Sequence, residues 1–130
     1  MNVTMSYNRS VFILNNDRHT LNTISEVCQR LNIETKTLGS GAQLLAELDH
    51  EAPLCIFSTS KLADMDSTAL LQHIQQLNDE LPVLMVGQSG EVHCAVNAIK
   101  QGALDFFTQP INSRRIQVIL QTLLAKDHEQ

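Results

Sequence analysis

A chain of 130 residues has room for one hydrophobic core, and a formal charge of −5 gives it little attraction for a nucleic-acid backbone. Aromatic residues make up 4% and hydrophobic residues 43%, so Leu, Ile, Val and Ala must fill that core. Cys28, Cys55 and Cys94 are widely spaced, and His19, His50, His73, His93 and His128 show no ligand spacing, so neither a disulfide framework nor a thiol-redox pair is indicated and no zinc site is expected.

The first strong signal is Val11-Phe12-Ile13-Leu14, an unbroken apolar run that predicts a strand buried on both faces, followed by the polar triplet Asn15-Asn16-Asp17. Asn16 or Asp17 can cap a helix from His19 to Asn32, with Leu21, Ile24, Cys28 and Leu31 on its inner face. Ile33 to Leu38 alternates as a less buried strand, and Ser40 is placed to cap a helix from Ala42 to Asp49. Leu54-Cys55-Ile56-Phe57 is a second central strand that delivers Ser58, Thr59 and Ser60 to the sheet edge already marked by the asparagines. Asp66 or Ser67 opens a helix with Leu70, Leu71, Ile74 and Leu77 inward, and Pro82 to Val86 follows as a third buried strand. Gly87 to Gly90 is a loop. Val92, Ala95, Val96, Ile99 and Ala103 are expected to line the inner face of the next helix, which stops at Gly102. Leu104 to Thr108 is the last strand, and Asn112 or Ser113 caps a final helix through Ala125.

Five strands alternating with five helices imply a doubly wound, flavodoxin-like (βα)5 fold, with a five-stranded parallel sheet covered on both faces. The expected organisation is a single domain over residues 1–130, with a core of about 10–125 and a polar tail at 126–130. Met1 to Ser10 has no apolar stretch of the secretory type and no run of 18 apolar residues occurs, so a cytoplasmic location away from membranes is expected. The doublet Arg114-Arg115 reads as a solvated helix start, and no direct nucleic-acid contact is expected from it.

With these elements placed, two stretches stand out. One is Pro53-Leu54-Cys55-Ile56-Phe57-Ser58-Thr59-Ser60-Lys61-Leu62-Ala63-Asp64-Met65-Asp66-Ser67, and the other is Ala98-Ile99-Lys100-Gln101-Gly102-Ala103-Leu104-Asp105-Phe106-Phe107-Thr108-Gln109-Pro110. The second resembles the A-x-K-x-G-A-x-D-[FY]-[LI]-x-K-P signature of bacterial response-regulator receiver domains, the phosphoacceptor modules of two-component signalling. The resemblance runs from about Ser10 to Leu124.

Carried over position by position, the resemblance implies a degenerate site. The acidic pair that holds Mg²⁺ in the family falls on Asn15 and Asn16, the acceptor aspartate on Thr59, the phosphoryl-reading hydroxyl on Gly87, and the lysine before the cis-proline on Gln109. The aromatic switch position, Phe106, and the flanking acid, Asp17, are as the family has them. Amide oxygens bring no charge to offset dehydration of Mg²⁺, and a threonine hydroxyl without an adjacent base is a poor nucleophile. No metal, no other cofactor and no catalytic residue are therefore expected, and Asn15, Asn16, Thr59 and Gln109 are expected to satisfy one another by neutral hydrogen bonds. Asp17, Asp64 and Asp66 read as caps and loop residues rather than a relocated metal site. Gly87 reads as a turn residue, and Phe106 as a ring held in one rotamer.

The resulting expectation is a phosphorylation-independent pseudo-receiver that binds a protein partner or a second copy through the last two helices and the strand between them. Glu91, His93, Asn97, Lys100, Arg115, Gln117, Val118 and Gln121 are the candidate interface residues. Two alternatives stay open: a small-molecule sensor using the neutral pocket, and an amino-terminal regulatory domain of a longer transcriptional regulator. Use of Thr59 or Ser58 as a phosphoacceptor is the enzymatic alternative.

Overall fold

The computed structural model describes residues 9–15, 17–88 and 90–128. Strands β1 (Ser10–Leu14), β2 (Glu34–Thr37), β3 (Cys55–Thr59), β4 (Val83–Gly87) and β5 (Asp105–Thr108) form one parallel sheet in the order β2-β1-β3-β4-β5. Between and after them run α1 (Arg18–Arg30), α2 (Gly41–Leu48), α3 (Ser67–Leu77), α4 (Val92–Lys100) and α5 (Ser113–His128). This is the doubly wound flavodoxin-like architecture expected from the alternation, and its order reverses between β1 and β3, where such sheets open a crevice at their carboxyl edge.

The pleat sorts the core into two layers. Val11, Ile13, Phe57, Leu84 and Val86 face α1 and α5, which supply Ile24, Val27, Ile116 and Leu120. Phe12, Leu14, Ile56, Val83 and Met85 face the other way, onto Leu44 of α2, Leu70, Leu71 and Ile74 of α3, and Ala98 of α4. Because each central strand is buried on both faces, its residues form an apolar run rather than an alternation. The pairings Ile13 with Phe57 and Phe57 with Leu84 hold β1, β3 and β4 in register, so their ends reach the carboxyl edge together.

Several boundaries and faces differ from expectation. The final helix continues through His128, because no proline or glycine follows Ala125 to stop it, so the polar tail from Lys126 is helical at its start. Leu77, expected inward, is the last residue of α3 and is exposed. In α4 the sheet is met by Ala98, while Val96 and Ile99 point outward. Two stripes of this helix satisfy helical spacing, and the small one wins because alanine lets the helix backbone approach the strands closely. After α4, Gly102 adopts φ +109°, and a Cβ there would fall 1.5 Å from the Gln75 amide nitrogen. Only glycine serves that turn.

The cysteines divide cleanly. Burial pushes the Cys28 thiol up to about 12 and the Cys55 thiol well above the usual range, whereas Cys94 is exposed on α4. The native protein at pH 8 is therefore expected to react with one equivalent of a thiol reagent quickly and with the other two only on unfolding, as a colorimetric thiol titration reads directly. Fast reaction of more than one thiol would contradict the packing of the α1–β3 layer.

Candidate functional site

The carboxyl ends of β1, β3, β4 and β5 bring Asn15, Thr59, Gly87 and Gln109 to one edge of the sheet. Asn16 lies outside the described residues. Beside this edge is a cavity of about 540 Å³ whose lining includes Asn15, Thr59, Lys61, Leu62, Ser40 and Asp64. The expected mutual bonding of the neutral set is not what the described residues do. Asn15 Oδ1 accepts the Asp17 N–H at 2.7 Å, Thr59 Oγ1 accepts the Lys61 N–H at 3.2 Å, and Gln109 Nε2 donates to Thr20 Oγ1 at 3.0 Å. Each side chain thus stitches its own strand end to the loop or helix that follows, or to a neighbouring helix.

The acids near this edge are committed in the same way. Asp17 stands at the N-cap of α1, where its carboxylate accepts both the Thr20 N–H and the Thr20 hydroxyl at 2.9 Å; these two bonds hold its pKa below the ordinary aspartate value. With Gln109 donating to that same hydroxyl, a chain of bonds runs from β5 through α1 to the end of β1. Asp64 does not cap the helix that follows it. Its carboxylate reaches across to accept the Ala42 and Gly41 N–H groups at 3.1 Å, closing the first turn of α2 and lowering its pKa. Asp66 occupies the N-cap position of α3 without a side-chain capping bond.

This donor set does not fit a divalent cation. Mg²⁺ calls for hard anionic oxygens directed into one octahedron. Here the Asn15 oxygen is turned to the Asp17 N–H, the Asp17 and Asp64 carboxylates are turned to helix N–H groups, and Thr59 brings only a neutral hydroxyl. Among the described residues no group of three or more His, Cys, Asp or Glu could hold a metal ion. The hydroxyls are equally poor nucleophiles: Ser58 is fully buried and donates to the Thr59 carbonyl, and among the described residues no base is hydrogen-bonded to Thr59 Oγ1.

Gly87 is more than a turn residue. A Cβ there would lie 2.4 Å from Glu91 Oε1, 2.6 Å from Phe106 Cζ and 3.0 Å from Ser60 Oγ. The half-buried Phe106 ring is thus packed inward over the end of β4, and Glu91 shares the space with it.

The surface of α4, β5 and α5 differs from the expected list. Glu91 is half-buried with its carboxylate turned in. Asn97 donates to Thr68 of α3, and Gln117 accepts from Arg30 of α1, so both look away from β5. His93, Lys100, Val118 and Gln121 are exposed, and Arg115 pairs with Asp105 at 2.7 Å while lying over the Phe107 ring. The apolar part of this surface is larger than expected: beside Val118, 55% exposed, stand Val96 at 50% and Ile99 at 47%, both expected inside, and Leu104 at 54%. No helix among the described residues is long and apolar enough to cross a membrane.

Comparison with known proteins agrees with this frame. The family model of the response regulator receiver domain matches residues 11–121. The response regulator protein TodT of Pseudomonas putida is 24% identical over 106 residues, covering 82% of this chain and 47% of that protein. The transcriptional regulatory protein ZraR of Escherichia coli is 34% identical over 89 residues, covering 68% of this chain and 20% of that one. The chain thus spans about half the length of TodT. Among solved structures, a CheY-like receiver domain protein of Methanospirillum hungatei superposes with a TM-score of 0.78 at 21% identity, covering 93% of this chain and 98% of that chain. The receiver domain of NtrX from Brucella abortus does so with a TM-score of 0.79 at 26% identity, covering 88% and 98%.

Proposed function

Because the chain belongs to the response regulator receiver domain family, we propose that it is a member that signals without phosphorylation, through contact with a second protein or a second copy of itself. The observation that carries this reading is the chemistry of the sheet edge. Thr59 stands where the family's acceptor carboxylate would be, its hydroxyl accepts the Lys61 N–H, and the Asn15, Asp17 and Asp64 oxygens are committed to backbone N–H groups. With the phosphoryl chemistry gone, what the domain retains is a shape and a surface.

The surface favoured for contact joins α4, β5 and α5. It exposes Val96, Ile99, Leu104 and Val118, and beside them charges of both signs, Lys100 and the Arg115–Asp105 pair. Apolar residues flanked by both signs of charge suit a twofold contact, in which one patch must complement itself. In a longer regulator the same contact would set the arrangement of a domain that follows; this extends the reading to proteins of the length of TodT. A pocket-based sensor is the second reading, favoured by the cavity beside Asn15 and Thr59.

Sedimentation velocity over a wide concentration range tests the proposal. Self-association is expected to be unchanged by acetyl phosphate with magnesium and weakened at least tenfold by Val118→Glu or Ile99→Glu, about 1.4 kcal/mol. Association that appears only with the phosphodonor would refute phosphorylation independence. A monomer at all concentrations that is stabilised by a metabolite in a thermal-shift screen would favour the sensor.

A further inference from the structure

Glu91 occupies the N-cap position of α4 but makes no side-chain capping bond to that helix. Its carboxylate turns back instead. Oε1 accepts the Gln88 N–H at 2.6 Å and the Ser60 hydroxyl at 3.1 Å, and Oε2 lies 3.9 Å from Lys61 Nζ. The donors come from two separate places, the segment that leaves β3 and the first residue past β4, and the Glu91 side chain is only 16% exposed. A carboxylate drawn that far from water needs donors to replace its hydration, and a charge-assisted N–H bond is the stronger kind. The Lys61 contact adds little, since that ammonium is 71% exposed. The same Oε1 sits where a side chain at position 87 would begin, beside the Phe106 ring. Glycine, carboxylate and ring therefore fit together as a set.

We infer that Glu91 is a latch: an internal anion that fastens the start of α4 to the segment after β3 and keeps Phe106 against Gly87, with no ligand from outside. It is a positioning residue for the face that carries Val96 and Ile99. The inference deepens the reading of a domain held in one state without phosphorylation, and it rests on that reading. It also explains why position 87 lacks a side chain: a Cβ there would displace the carboxylate, the ring or both.

Amide hydrogen exchange by NMR on the whole chain tests this in wild type, Glu91→Gln and Glu91→Ala. Glu91→Ala is expected to speed exchange at least tenfold at Gln88 and along α4, while the strand amides of Ile56 and Leu84 stay within twofold of wild type. Glu91→Gln, which keeps a neutral acceptor in the same place, should fall between the two. A second measurement guards against a general loss of stability. Gly87→Ala is expected to lower Tm by several degrees in wild type, and at least half of that loss should vanish in the Glu91→Ala background. Unchanged exchange in α4, or strictly additive effects at positions 87 and 91, would overturn the latch. Uptake of phosphate from a phosphodonor would instead overturn phosphorylation independence and leave the exchange result standing, so the two failures can be told apart.

Discussion

Replacing Phe57 with alanine is expected to lower the unfolding free energy by about 3–5 kcal/mol and Tm by more than about 10 °C. Phe57 is fully buried in β3, the middle strand of the sheet, and its ring stacks on Phe107 with centroids 6.4 Å apart. It pairs in register with Ile13 on one side and Leu84 on the other. In a chain with only four phenylalanines and no tryptophan, few other side chains are large enough to close over the space it leaves. Domains of this size are stable by about 5–15 kcal/mol, so the loss would consume a large share of the total. Urea unfolding followed by circular dichroism measures it, with Val118→Ala at the exposed surface as a control that should stay within about 0.5 kcal/mol of wild type. A loss below about 1 kcal/mol for Phe57→Ala would mean that the layer under α1 and α5 is not closely packed.

The parts of this architecture that were legible in the sequence are those written in contiguous residues. Val11 to Leu14, Leu54 to Phe57 and Val83 to Val86 are continuous apolar runs, and a strand covered on both faces has no other way to appear. Strand ends then placed Asn15, Thr59, Gly87 and Gln109 at one edge, because in a parallel sheet every carboxyl end lies on the same side. What could not be read was where those side chains turn. Gln109 bonds to Thr20, 89 residues away, and Asp64 closes a helix that begins 23 residues earlier. Such bonds depend on the approach of distant elements, and local spacing carries no trace of them. The outward turn of Val96 and Ile99 has a related cause. Periodicity reports that a helix has an apolar stripe, but Ala98 and the larger residues beside it offer two, and the choice is made by how closely the sheet can be approached. Glu91 was expected among the exposed residues of the contact surface, and only the fold shows the donors that draw it inward.

A variant carrying Asn16→Asp, Thr59→Asp and Gln109→Lys is expected to take up phosphate from acetyl phosphate in magnesium buffer, while the wild-type chain takes up none. In the variant a carboxylate oxygen at position 59 attacks phosphorus, the bond from phosphorus to the acetyl oxygen breaks, and acetate leaves. The wild-type hydroxyl would have to shed a proton in the same step, and among the described residues the group hydrogen-bonded to Thr59 Oγ1 is the Lys61 N–H, which is a donor and not a base. The missing charges matter as much. A unit charge about 4 Å from another contributes on the order of 4 kcal/mol at an effective dielectric near 20, roughly three decades in an equilibrium constant, and neither Asn15 nor Thr59 carries one. Restoring the lysine alone is expected to give no labelling, because the Asp17 carboxylate bonded to Thr20 can receive the cation while position 59 still offers no carboxylate nucleophile. The three changes should therefore succeed as a set and fail singly. Intact mass spectrometry reads the labelling, and release by hydroxylamine identifies an acyl phosphate. Hydroxylamine-resistant labelling of the wild-type chain would restore Thr59 as an acceptor and end the phosphorylation-independent reading. An unlabelled triple variant that folds normally would show that the pocket lost more than its charges. The Glu91 carboxylate, held by the Gln88 N–H and the Ser60 hydroxyl, is the group that adding Glu91→Ala would then remove.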